Sequence, residues 1–110
     1  MNDTALEILA TARELIAEPE HWQQGMYASN RDGFGTAPSS PSAIKFCIMG
    51  ALSRAAFSLD SEIEAVREAE NILRGFLGVR SLVTYNDHHS HAEVLAALDG
   101  AIEQEKERNG

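Results

Sequence analysis

Residues 4–17 place Ala5, Ile8, Leu9, Ala12, Leu15 and Ile16 at a 3.6-residue spacing, with Glu7, Thr11, Glu14 and Glu18 on the other side. That pattern predicts an amphipathic helix. Thr4 and Glu7 have capping-box spacing at its start, and Pro19 stops it because proline cannot continue the hydrogen-bond ladder. Residues 42–57 differ in kind: Ile44, Phe46, Cys47, Ile48, Met49, Ala51, Leu52, Ala55, Ala56 and Phe57 leave only Lys45, Ser53 and Arg54 clearly polar. A helix apolar nearly all round is a central one, so 43–57 is expected at the heart of the fold, capped by Ser40 with Pro41 or by Ser42. Gly50 within it costs about 1 kcal/mol relative to alanine, which predicts close approach by a neighbouring element.

A third helix is expected over 60–77, with Ile63, Val66, Leu73, Phe76 and Leu77 inward and Glu64, Arg67, Glu68 and Arg74 outward. Ser61 and Glu64 have capping-box spacing, and Gly78 before Val79 has the form of a left-handed C-terminal cap. Residues Ser81 to Tyr85 are β-branched and aromatic enough for a short extended segment. The last helix opens with the box Ser90–Glu93, continues through Val94, Leu95, Leu98, Ala101 and Ile102, and should fray over the polar tail 103–110. The stretch 20–41 is irregular and longer than loops usually are without structure of their own. A short β-hairpin over about 26–36, turning near Asp32–Gly33, would supply that structure. These elements predict a mainly α, compact four-helix domain spanning 1–110 as one unit, with an ordered core of about 4–103.

Composition narrows the function classes. With 44% hydrophobic and 24% charged residues the chain should fold around one core. Its formal net charge of −8 argues against nucleic acid, since phosphate contact needs clustered Lys and Arg, and against an anionic membrane surface. A single cysteine permits no internal disulfide and suits a reducing compartment. Asp3, Glu7, Arg13 and Glu14 interrupt any signal-peptide core, and a membrane-spanning run is not found, so a cytoplasmic location is expected.

Three groups of residues could carry chemistry. Cys47 could act as a nucleophile with a histidine such as His88 as base and Asp87 or Asn86 as orienting group. If it lies inside its helix on the side of Ile44, Ile48 and Ala51, however, it is a small buried hydrophobe. His88, His89 and His91, with Asp87 and Glu93, are potential metal ligands, yet adjacent histidines in a turn mostly diverge and the HExxH spacing is lacking. Asn86 and Asp87 suit a turn whose backbone donors need side-chain acceptors. Trp22, beside Gln23, Gln24 and Gly25, reads as a core plug.

Together, Trp22-Gln23-Gln24-Gly25, Cys47-Ile48-Met49-Gly50-Ala51-Leu52-Ser53-Arg54-Ala55, Tyr85-Asn86-Asp87 and Glu93-Val94 with Asp99-Gly100-Ala101-Ile102 resemble an uncharacterised family of small bacterial and phage proteins. That family carries tryptophan where this chain has Phe46 and Tyr85, so both positions keep an aromatic ring. The resemblance implies that Trp22, Cys47, Gly50, Asn86 and Asp87 form one constellation, with Trp22, Cys47, Tyr85, Asn86 and Asp87 lining a cleft between the central helix and the 81–89 connector. It implies no activity.

The leading expectation is a non-enzymatic accessory or regulatory module of bacterial or phage origin. It would act through a protein partner or as a homo-oligomer, without cofactor, nucleic acid or membrane. The alternatives are a small thiol-dependent hydrolase or transferase using Cys47, and a small-ligand or metal binder at the 86–91 turn.

Overall fold

The first helix, α1 (Asp3–Leu15), buries Ala5, Ile8, Leu9 and Ala12 along the stripe its spacing predicts. It packs against three later helices, α2 (Ile48–Ser58), α3 (Ile63–Leu77) and α5 (His91–Asn109), in a computed structural model that describes residues 3–109. A short helix, α4 (Leu82–Asp87), and two antiparallel two-residue strands, β1 (Ala28–Ser29) and β2 (Lys45–Phe46), complete the architecture among the described residues. The molecule is therefore mainly helical, with a fifth helix beyond the expected four. Thr4 lies inside α1 and cannot cap it; the position before the helix is outside the described residues. The chain leaves α1 before Pro19, which opens a 3₁₀ turn over Pro19–His21.

The central helix starts at Ile48, not at residue 43. Residues 44–47 are drawn into extended structure: Phe46 pairs with Ala28, Ile44 N–H donates to the Ser29 carbonyl, and Cys47 N–H to that of Tyr27. An apolar run does not itself separate a buried strand from a buried helix, and here it is first one and then the other. Ser40 and Ser42 consequently close a separate turn. The cap of α2 is Cys47, whose extended backbone lets Sγ accept the Gly50 N–H at 3.4 Å. From there α2 buries Ile48, Ala51, Leu52, Ala55 and Ala56, and full burial of each large side chain contributes about 1.5–3 kcal/mol. Gly50 meets its expected neighbour: a Cβ there would lie 1.8 Å from the Tyr27 carbonyl oxygen.

The turn expected near Asp32–Gly33 forms, with Gly33 at φ 87° and Asn30 Oδ1 accepting from Asp32 and Phe34 N–H. Its limbs meet at a single bridge between Ser29 and Gly35, whereas the strand pairing of Ala28–Ser29 is to the distant β2.

In α3, Glu62 stands at the N-cap without a side-chain bond, so the Ser61–Glu64 box is not made. Ile63 and Phe76, expected inward, are 60% and 38% exposed; Ala69 and Leu73 form the buried face. Phe76 lies across α5, where a Cβ on Gly100 would come within 2.4 Å of its ring. Gly78 ends α3 in the left-handed conformation at φ 69°, as its position predicts.

The segment expected to be extended at 81–85 is α4 instead. Ser81 Oγ accepts from Thr84 N–H, and helical spacing puts Leu82 and Asn86 together on the buried face. Burial of that face outweighs the β propensity of Val83, Thr84 and Tyr85. The Ser90–Glu93 box closes in both directions, Ser90 N–H to Glu93 Oε1 at 2.8 Å and Glu93 N–H to Ser90 Oγ at 3.1 Å. Beyond it α5 stays helical through Asn109 and buries Glu105, so the helix continues past Ile102 into the polar stretch.

Candidate functional site

The site grows from one buried amide. Asn86, fully buried on α4, accepts at Oδ1 from the Trp22 indole N–H (2.8 Å) and from the Ile48 N–H (3.0 Å). Its Nδ2 donates to the Gln23 carbonyl at 3.0 Å. The Ile48 N–H is an orphan donor of the first turn of α2, and Asn86 satisfies it from 38 residues away. Gln24 Nε2 completes the junction by donating to the carbonyls of Asn86 and His89. Asn86 thus joins three segments: the stretch after α1, the start of α2 and the end of α4.

A pocket of about 160 Å³ opens beside this junction, lined by Gly25, Met26, Tyr27, Cys47, Val83 and Asp87. Asp87 Oδ1 accepts from Gly25 N–H at 2.9 Å and from Asn86 Nδ2 at 3.5 Å. Gly25 is at φ 89°, a conformation natural to glycine, and that turn aims its N–H at Asp87. Cys47 is only 2% exposed. Burial pushes its thiol above the ordinary value and the Asp87 charge adds to the rise, against the pull of the Gly50 and Met49 amides. A thiol so placed keeps its proton, and the thiolate is the nucleophile in cysteine chemistry.

Of the residues singled out from the sequence, Trp22 and Asn86 meet in the junction, while Cys47 and Asp87 meet in the adjoining pocket. Tyr85 does not join them. It stacks on His89 with ring centroids 3.7 Å apart and lines a separate pocket of about 390 Å³ with Val79, Arg80, Ser81, Thr84, His88 and His89. Burial raises the Tyr85 hydroxyl above its ordinary value, with Glu93 adding to the effect. The histidines diverge: His88 Nδ1 faces the Thr84 carbonyl, His89 Nδ1 that of Tyr85, and His91 Nε2 that of Ile16. Among the described residues no three His, Cys, Asp or Glu side chains are grouped to hold a metal ion.

The sequence reading did not single out Met26, Tyr27 or Val83 as pocket residues. Tyr27 could have been found through Gly50, because a glycine inside an apolar helix requires a backbone neighbour, and that neighbour is Tyr27.

Fold and site define a mainly helical domain whose irregular segment is clamped to two helices by a buried asparagine. The family of unknown function DUF6197 matches residues 1–104, and the chain belongs to it. No curated protein and no solved structure matches the chain. Among the described residues no helix is long and apolar enough to cross a membrane.

Proposed function

We propose that this protein is a non-enzymatic interaction module, accessory or regulatory in role, that engages a protein partner through the surface bearing Met26, Tyr27 and Phe34. One observation carries the reading: these side chains are 40%, 56% and 70% exposed, although the segment bearing them is fastened to the helical core at Gly25, Tyr27 and Ser29. Large apolar side chains on a fixed surface segment are the material of binding hot spots, because they lose little freedom on association. The thiol-enzyme alternative has less support, since none of the four histidines lines the Cys47 pocket and burial disfavours its thiolate. A ligand or metal role for the 86–91 turn is disfavoured by the separate carbonyls its histidines face.

The test is a photo-cross-linking amino acid placed at Phe34 and, as a control, at exposed Arg67 on α3, followed by cross-linking in cells. The expected result is one discrete adduct from position 34 and none from position 67. No adduct at 34, or equal adducts from both, overturns the reading. Alkylation of Cys47 in the native protein should be slow, with a midpoint above that of the denatured chain; a fast reaction at neutral pH would restore the enzyme alternative.

A further inference from the structure

The pocket beside Asn86 has a composition that selects its occupant. An engineered apolar cavity of about 150 Å³ takes a single benzene, so the 160 Å³ here suits one side chain and not a drug-sized ligand of about 300 Å³ or more. Met26, Tyr27 and Val83 furnish apolar wall, and Asp87 is the one acidic residue of the lining. One Asp87 oxygen is engaged by Gly25 and Asn86, while Oδ2 carries no hydrogen bond among the described residues. An anion entering here is repelled by Asp87. A wholly apolar group would strip water from the carboxylate and return nothing. The complementary group is a cation on an apolar stem, which among side chains means lysine or arginine. Arginine's planar fork is best matched by two carboxylate oxygens, and one is already taken. The compact ammonium of lysine needs only the free one. The net charge of −8 favours the approach of a basic partner.

We propose that the pocket between the Gly25–Tyr27 segment and α4 receives a lysine side chain of the partner protein, its ammonium on Asp87 Oδ2 and its stem against Met26, Tyr27 and Val83. This rests on the interaction-module reading above.

The first arm of the test is a titration of the full chain with n-butylammonium, followed by amide NMR shifts, with n-butanol and butyrate as controls at matched ionic strength. Saturable shifts are expected at residues 25–27, 47 and 83–87 with butylammonium, and much weaker ones with either control. Asp87→Asn keeps an oxygen for the Gly25 N–H but removes the charge, and should weaken butylammonium binding about tenfold, the equivalent of one charge-assisted hydrogen bond. Val83→Phe should fill the pocket and abolish the shifts. Absence of saturable shifts, parity with butanol or butyrate, or indifference to Asp87→Asn overturns the lysine assignment.

The second arm measures the cross-link from position 34 in the Asp87→Asn background, where a fall of about fivefold or more is expected from the same lost contact. An unchanged yield overturns the lysine assignment and leaves the interaction module standing. No cross-link from the otherwise unmodified chain overturns both.

Discussion

The start of α2 and the corner beyond its end are closed by different means. At the start, beside the local Cys47 Sγ cap on Gly50, the Ile48 N–H donates to Asn86, 38 residues away, and the Tyr27 carbonyl presses on Gly50. At the corner every closing bond is local: Leu59 N–H to Ala55, Asp60 N–H to Phe57 and Ser61 N–H to Ala56, with Asp60 in the left-handed region at φ 54°. Phe57, Leu59 and Ile63 there remain exposed. A locally closed terminus forms with its helix and loses little when altered. One closed from afar exists only once distant segments have assembled, so damage to it should spread through all of them.

The largest effect should come from Gly50→Ala. The new Cβ would overlap a backbone carbonyl that cannot swing aside, which predicts a loss of about 4 kcal/mol or failure to fold, measurable by urea denaturation. Next is Asn86→Ala, which leaves the Trp22 indole, the Ile48 amide and the Gln23 carbonyl without their partner. A loss of about 3 kcal/mol is expected, and hydrogen exchange should quicken at the start of α2 and in the 22–27 segment together. Exchange that quickens in α4 alone would break the comparison. Asn86→Asp keeps the acceptor but buries a charge against the Gln23 carbonyl and beside Asp87, so at neutral pH its loss should be at least comparable, and it should shrink on acidification, when a protonated carboxyl can again donate to Gln23.

The local closures predict less. Asp60→Gly relieves a left-handed backbone at the cost of unfolded-state freedom, for a net change within about 1 kcal/mol in the stabilising direction. A loss as large as that of Asn86→Ala would contradict the distinction. The smallest effect is electrostatic. The Ser90 amide holds the Glu93 carboxyl below its ordinary value, so the charged cap stabilises the fold above the unfolded-state pKa and is lost as pH falls through the lower folded-state one. The melting temperature of Glu93→Gln should therefore lie below that of the parent at neutral pH and converge with it on acidification past about 4.3 and below.

The same distinction governs much of what could be read from the chain, the unmade local box Ser61–Glu64 being an exception. The Ser90–Glu93 box and the Gly78 cap lie within a few residues of the structure they make, and both were legible. The start of α2 was not, because Lys45–Phe46 is held extended by the distant Ala28–Ser29 strand and by Trp22–Gln23 on its other side. Nor was α4, whose β-branched residues are overruled by the burial of Leu82 and Asn86. In the site, the apolar run implies Cys47 inside a helix whereas it stands at the N-cap, and the resemblance implies Tyr85 beside Cys47 whereas it faces another pocket. The meeting of Trp22 with Asn86, and of Cys47 with Asp87, came from family resemblance; no periodicity encodes contacts across such separations.

Trp22 is the only tryptophan in the chain, and its indole shares the Asn86 oxygen with the first turn of α2. Its emission is consequently an optical gauge of the moment three segments come together, while far-ultraviolet circular dichroism follows the helices themselves. In a stopped-flow refolding experiment, a lag of the first signal behind the second would date the closing of the junction within the life of a single folding event, with no label added to the protein.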